Sequence, residues 1–288
     1  MKKYSGVFIL ILIFLGGIFF YQYSRFYDNN LHIIFCDVGQ GDGIFIRTAS
    51  HKNFLIDAGP DEKIIDCLEK HTPFWERNIS VAILTHPHLD HFAGFNYVMK
   101  RYNLISFATE DLNNKSASFH GFLSQLNDKK LRIKYLYSGD SFKTKDGARF
   151  SVLAPTKDFI NRTSPNRQIG ENGEFASLII LVSYGSFTAL FTGDSQAPEL
   201  SRAISDNSIQ DIKILEVPHH GSKTGLSPEI LSRLRPGHGI ISAGAHNRYG
   251  HPNKFTLDLL NEFNVKTLNT SKNGDIEIIT DGKNLQIR

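Results

Sequence analysis

The chain has 288 residues, 41% of them hydrophobic and 21% charged, which provides for one large buried core in one or two domains. Its formal net charge of +3 is too small to single out a nucleic-acid partner, because strong polyanion binders concentrate a basic stripe on one face. Its two cysteines, Cys36 and Cys67, have no Cys-x-x-Cys spacing, which leaves out a cysteine-built zinc or redox motif; they read as buried free thiols, with a disulfide between them as the alternative in an oxidising compartment.

In chain order, Lys2-Lys3 precede an uncharged stretch, Tyr4 to Tyr23. As a helix it would reach ~30 Å, enough to cross a bilayer core. No small-x-small cleavage site follows Phe20, and Tyr21, Tyr23 and Arg25 have the character of an interfacial anchor. Residues 1–23 therefore read as a cytoplasmic tip and a retained single-pass membrane anchor. The lysine pair places the N-terminus in the cytoplasm and everything after the span outside the cell membrane. Residues 24–30 are polar and read as a short linker, and residues 31–288 as one catalytic domain.

Strands are expected at Leu31 to Val38, Gly43 to Thr48 and Asn53 to Asp57, joined by glycine-rich and polar turns. A helix follows at Glu62 to His71, then a buried strand at Val81 to Thr85 and a helix at Phe92 to Tyr102. The middle reads as a helix over Asp111 to Asp128 and strands at Leu131 to Tyr137 and Arg149 to Ala154. The second half repeats the logic, with strands at Leu178 to Ser183, Phe187 to Thr192, Ile212 to Val217 and Gly239 to Ser242. Helices are expected near Ala197 to Ser205 and Pro228 to Leu234. A hairpin, Ile276 to Thr280 with Leu285 to Arg288, ends the sequence. Strands interleaved with helices imply layered α/β packing.

The densest chemistry lies in Thr85-His86-Pro87-His88-Leu89-Asp90-His91, directly after the apolar run Val81 to Leu84. Imidazole nitrogen and carboxylate oxygen are the donors that zinc and similar divalent ions take, and a solvated loop has no reason to select this spacing. His86 and His88 can project the same way from an extended strand end, while Asp90 and His91 follow as the chain turns.

This His-x-His-x-Asp-His pattern resembles the signature of the metallo-β-lactamase-fold hydrolases. Leu55-Ile56-Asp57-Ala58-Gly59, Phe191-Thr192-Gly193-Asp194 and Val217-Pro218-His219-His220-Gly221-Ser222 are similar to further motifs of that family, in the same order. Asp37-Val38-Gly39-Gln40-Gly41-Asp42, Ser242-Ala243-Gly244 and Tyr249-Gly250-His251-Pro252 narrow the resemblance, over about residues 31 to 288, to the C-terminal hydrolase domain of ComEC-type competence proteins.

The resemblance implies an αββα sandwich with one or two divalent ions, zinc or alternatively manganese, in a cleft at the sheet ends. It assigns His86 and His88 to one metal, Asp90 and His91 to the other, and Asp194 as the bridge. His220 would be the remaining ligand, with His219 as the alternative, because adjacent histidines in an extended segment face opposite ways. A histidine that the wider family carries before the bridging-aspartate strand is missing from Gly170 to Leu178, where Asn172 or Glu174 could substitute. Asp57 would orient the metal loop, and Asp37 and Asp42 would serve as scaffold in their glycine-rich turn. Asp90 and His251 are candidate catalytic groups, and Ser222 and Lys223 candidate donors to a substrate phosphate.

The expected activity is phosphodiester hydrolysis by a water ionised near neutral pH, with DNA as substrate and a DNA-uptake channel as partner. The chain would be a separate, anchored version of that domain. The same cleft hosts many reactions, so a small phosphoester, a phosphorylcholine ester or a lactone is the enzymatic alternative. A non-catalytic DNA-uptake subunit is the alternative of another class.

Overall fold

Apolar side chains occupy both registers of the central strands, so each strand must be covered on both faces. In Leu31–Phe35, Ile33 and Phe35 enter one core while Ile34 enters another; in Val81–Leu84, Ile83 and its neighbours Ala82 and Leu84 divide in the same way. The computed structural model, which describes residues 2–170 and 176–288, resolves this demand as four layers.

One sheet has eight strands in the order Leu285–Ile287, Ile276–Thr280, Leu31–Phe35, Ile44–Arg47, Asn53–Ile56, Val81–Leu84, Phe107–Thr109 and Ile133–Tyr135. The other has seven, in the order Lys266–Asn269, His238–Ile241, Ile214–Glu216, Phe187–Phe191, Ile179–Tyr184, Arg149–Ala154 and Ser141–Lys143. Phe35, Phe54, Phe150, Val182 and Phe191 fill the space between the sheets. Lys63–His71, Phe95–Arg101 and Ala117–Asp128 cover the outside of the first sheet; Ala197–Asp206, Pro228–Leu234 and Lys254–Glu262 cover the second. This is the expected αββα arrangement, with mixed sheets.

Topology decides where the loops meet. Asn53–Ile56 runs parallel to Val81–Leu84, and Phe187–Phe191, Ile214–Glu216 and His238–Ile241 run parallel to one another. The segments beginning at Asp57, Thr85, Thr192, Val217 and Ser242 therefore all leave carboxyl ends of strands, where open α/β sheets present their ligand crevices.

Several expected boundaries move. The helix expected from Phe92 is a turn, Leu89–Phe92, followed by Phe95–Arg101. The helix expected from Asp111 begins only at Ala117, where the Ser116 hydroxyl accepts from the Phe119 N–H. The helix Lys254–Glu262, capped by the Asn253 side chain on the Phe255 N–H, and the strand Lys266–Asn269 were absent from the sequence reading.

Of the two readings of the cysteines, the free-thiol one is corrected and the disulfide alternative holds: Cys36 and Cys67 are bonded, their Cα atoms 5.7 Å apart, joining the end of the first strand to the helix Lys63–His71. Next to it Asp275 accepts from the Asp37 N–H and from the side chains of Lys70 and His71. Cys67, His71 and Asp275 cluster closely, but a sulfur spent in a disulfide is no metal ligand.

The N-terminal helix, Lys2–Phe26, includes an exposed apolar stretch, Gly6–Phe26, of mean hydropathy 2.1. It is long and apolar enough for a membrane span or a signal sequence. It extends through residues read as linker, and its end is docked on the domain: Phe26 is buried, with the Arg25 and Arg47 guanidiniums about its ring at 5.0 and 5.2 Å. Tyr27 accepts from the Trp75 indole N–H at 3.1 Å.

Reducing the disulfide, or replacing both cysteines by serine, is expected to cost about 3–4 kcal/mol by releasing a loop of some thirty residues; urea unfolding with and without reductant measures it. Burial would raise the Asp275 carboxyl, but its bonds from His71 and Lys70 hold it well below the carboxylate range. Its contribution to stability is thus present above the unfolded pKa and lost as pH falls through the folded one. The stability gap between wild type and Asp275→Asn should accordingly narrow below about pH 4, as followed by unfolding midpoints against pH.

Candidate metal centre

Asp57 sets the first half of the site. It is buried at the end of its strand, in a left-handed conformation with φ of 54°, and accepts the Thr85 N–H and hydroxyl, each at 2.7 Å. Its Oδ2 also accepts from His91 Nδ1 at 2.8 Å. Because a carboxylate only accepts, the His91 Nδ1 carries a proton and Nε2 is the nitrogen that faces inward. The same logic runs through the neighbours. The Thr85 hydroxyl has spent its proton on Asp57, so it accepts from His86 Nδ1 at 3.1 Å; the Ser242 carbonyl accepts from His220 Nδ1 at 2.9 Å. Partners of this kind fix the tautomer of metal-binding histidines.

The second half comes from the other sheet. Glu216, an acid inside an apolar strand, accepts the Thr192 and Gly193 N–H groups at 2.6 and 3.0 Å and so forms the turn that presents Asp194. Gly193 has φ of +48°, and a Cβ there would lie 2.4 Å from Ser177 Oγ, so the turn admits only glycine without rearrangement.

Asp194 stands between the halves. Its Oδ2 is 3.5 Å from His86 Nε2 and 3.6 Å from His219 Nε2; its Oδ1 is 3.4 Å from His91 Nε2 and 3.3 Å from His220 Nε2. His88 Nδ1 lies 2.9 Å from His86 Nε2, and Asp90 Oδ2 3.5 Å from His220 Nε2. Asp42 belongs to the same cluster, yet it faces the Nδ1 sides of His91 and His220, at 3.7 and 3.5 Å, and so stands behind the rings.

The fit to a cation rests on three buried atoms. His91 Nε2, Asp194 Oδ1 and His220 Nε2 converge without a hydrogen-bond partner. Buried polar atoms are almost always satisfied, so three donors converging on one another leave a place where an ion would satisfy them all. Charge agrees. Burial alone would lower His91 and His220, yet Asp194, with Asp57 for one and Asp42 for the other, raises both well above the imidazole range. Against its own burial, Asp194 is held well below the carboxylate range by His220 and His91. A pocket that holds positive charge this firmly suits divalent cations with imidazole and carboxylate donors.

The centre opens into a cleft of about 480 Å³ lined by His88, Asp90, Asp194, His219, Tyr249 and His251 among others. Ser222 and Lys223 are not among its lining residues: the Ser222 hydroxyl pairs with that of Thr224 at 3.0 Å, and Lys223 is exposed. Asp37 lies at the base of the turn that carries Asp42, its carboxylate accepting from the Gly39 N–H at 3.3 Å. Asn172 and Glu174 lie outside the described residues. Sequence reasoning missed Thr85, Glu216 and Gln196, whose amide nitrogen is 3.0 Å from His219 Nδ1; only Glu216, a lone acid in Ile214-Leu215-Glu216-Val217, carried a sequence signal.

Residues 36–246 match the family described as the Metallo-beta-lactamase superfamily. The chain is 28% identical over 269 residues to ComE operon protein 3 of Bacillus subtilis (strain 168), covering 84% of this chain and 32% of that protein. It is 24% identical over 271 residues to Competence protein ComA of Neisseria gonorrhoeae, covering 92% of this chain and 35% of that protein. The chain thus spans about a third of the length of these curated relatives. Among solved structures, the metallo-beta-lactamase fold protein YhfI from Bacillus subtilis superposes with a TM-score of 0.57 at 11% identity, covering 90% of this chain and 100% of that one, a likeness of fold alone.

Replacing Asp57 by Asn removes the negative charge and puts an NH2 donor in place of one of its two acceptor oxygens, so the Thr85 N–H and hydroxyl and the His91 Nδ1 proton can no longer all be accepted, while every ring nitrogen that faces Asp194 stays. Zinc affinity, measured by competition with a chromophoric chelator, is expected to fall about 10–100-fold.

Proposed function

We infer the function from the premise that the chain belongs to the metallo-beta-lactamase superfamily and is a distant homologue of competence proteins. We propose that it is a metal-dependent hydrolase of phosphodiesters, DNA foremost, anchored by its N-terminal helix with the catalytic domain on the outer face of the membrane. The observation that carries the reading is the convergence of His91 Nε2, His220 Nε2 and Asp194 Oδ1 as buried, unpartnered atoms beside an open cleft.

In this reading His86, His88 and Asp194 hold one zinc or manganese ion, and Asp90, His91, Asp194 and His220 a second. When bound, such ions supply Lewis acidity and make water acidic enough to attack near neutral pH. The chain's own residues do the positioning. Asp194 divides its two oxygens between the two sets of imidazoles, and Asp90 borders both the His220 nitrogen and the cleft. His251 stands over the same cleft, its backbone N–H and carbonyl both bonded to the Asn247 side chain. Burial, then His219 and His220, lower its pKa, so near neutral pH the ring is uncharged and suited to donate an N–H to a phosphate oxygen.

A second cleft, of about 370 Å³, adjoins the first through Gln40, Leu89, Asp90 and Tyr249 and adds Lys63 and Arg248. Two cations beside the reaction cleft favour a substrate with more than one phosphate, as in a polynucleotide. The disulfide supports an oxidising location, since such bonds persist outside the cytosol. A DNA-uptake channel is the partner that kinship with competence proteins points to.

The full chain in detergent, reconstituted with zinc or manganese, is expected to cleave DNA, and Asp194→Ala to fall to background. Lys63→Ala with Arg248→Ala should raise KM for an oligonucleotide and leave a simple aryl phosphodiester unaffected. A reconstituted wild-type chain that cleaves neither DNA nor RNA ends the nuclease reading.

A further inference from the structure

The turn Pro218–Gly221, beside the centre, has left-handed backbone at successive residues. His219 has φ 51° and ψ 49°, His220 φ 56° and ψ 23°, and Gly221 φ 82°. Two successive non-glycine residues in the left-handed region carry a steric cost that L side chains rarely accept. Such strain persists where the surroundings over-determine it, and it clusters at functional sites.

Its geometric effect is specific. In an extended segment, neighbouring side chains point to opposite faces, so only one histidine of the pair could reach a given centre. In a left-handed turn, successive side chains are separated by about a third of a revolution instead. Both rings then face the same carboxylate from one side: His219 Nε2 lies 3.6 Å from Asp194 Oδ2 and His220 Nε2 3.3 Å from Oδ1. The turn is tied to the aspartate it serves, since the His219 N–H donates to the Gly193 carbonyl at 2.9 Å.

We propose that His219 is a ligand of the cation held by His86 and His88, while His220 serves the cation beside His91. One left-handed dipeptide thereby supplies an imidazole to each of two sites. The proposal rests on the metal-centre reading and deepens it. Two nitrogen or oxygen ligands on one tetrahedral zinc, each bonded at about 2.0–2.1 Å, lie about 3.4 Å apart. The separations of 3.5 and 3.6 Å from Asp194 Oδ2 to His86 and His219, and of 3.4 and 3.3 Å from Oδ1 to His91 and His220, match that spacing on both sides of the carboxylate.

Without His219, the His86 side offers His86, His88 and one aspartate oxygen, whereas the other side offers His91, His220, Asp90 and the second oxygen. His219 balances the two sets. Gln196 then has a role: the nitrogen and oxygen of an amide are exchangeable assignments, and with its oxygen at the 3.0 Å contact it accepts the Nδ1 proton and leaves the Nε2 lone pair toward Asp194.

The test counts ions rather than turnover. The full chain in detergent is dialysed at fixed free zinc, and bound metal is measured by elemental analysis. Wild type is expected to hold two ions and His219→Ala one. His219→Asn should also hold one; asparagine tolerates the left-handed conformation, so this variant keeps the turn if alanine disturbs it. The double variants identify the partners: His88→Ala with His219→Ala should still hold one ion, whereas His219→Ala with His220→Ala should hold none. Wild-type ion content and affinity in both His219 variants overturn the assignment. So does the reverse pattern in the double variants. A chain that binds two ions yet cleaves no phosphodiester counts against the hydrolase reading and leaves this assignment standing.

Discussion

The Asp194 carboxylate is the point at which the two sheets become one structure with a purpose. Its oxygens face His86 and His91 from the first sheet and His219 and His220 from the second, all between 3.3 and 3.6 Å. No single strand or helix could gather these groups. The apolar layer between the sheets, with Phe35, Phe54, Phe150 and Phe191, sets their separation, so packing far from the centre controls the distance between donors within it. Burying a carboxylate is costly unless opposite charge faces it, and here His91 and His220 do so, holding Asp194 well below the carboxylate range.

The support around that carboxylate is built in tiers. Asp57 and the Ser242 carbonyl accept the outward protons of His91 and His220, and Glu216 shapes the turn that carries Asp194. Asp42 adds negative charge behind two of the rings. Glycine at position 94 reveals how tightly the metal loop is seated: a Cβ there would lie 1.8 Å from the Ala58 carbonyl, so the helix after His91 must lie directly against the Asp57 turn. Orientation of the rings is thus decided by the acceptors behind them, the Asp57 carboxylate, the Thr85 hydroxyl and the Ser242 carbonyl, on a loop held close to the Asp57 turn.

Much of this was legible in the sequence, for a physical reason. Metal donors cluster at strand ends, so His86 to His91 and Thr192-Gly193-Asp194 announce themselves beside apolar runs, and alternation along strands such as Leu31–Phe35 discloses layers. What stayed hidden depends on geometry that composition does not encode. The Cys36–Cys67 bond could be offered only as an alternative to free thiols, because it requires two chain segments 31 residues apart to approach, which no spacing rule specifies. The left-handed turn at His219 was read as extended because nothing about histidine demands a positive φ. The helix Lys254–Glu262 had an audible start in Asn253, but the preceding Gly250-His251-Pro252 reads as loop and masked it.

The loop between the first two strands shows how stability and chemistry share residues. Cys36 is bonded to Cys67, the Asp37 N–H to Asp275, the Asp42 carbonyl to the Gly59 N–H, and the Gln40 side chain to the Gly244 N–H. These ties run to three parts of the chain remote in sequence, and the loop they pin carries Asp42 to the back of His91 and His220. Asp42, carried by this loop, stands behind both rings and helps to raise the His220 pKa, so the ties that hold the loop also hold a carboxylate of the centre. The same loop borders both clefts through Gln40, so one stretch of chain carries the disulfide, a carboxylate of the centre and part of the cleft wall.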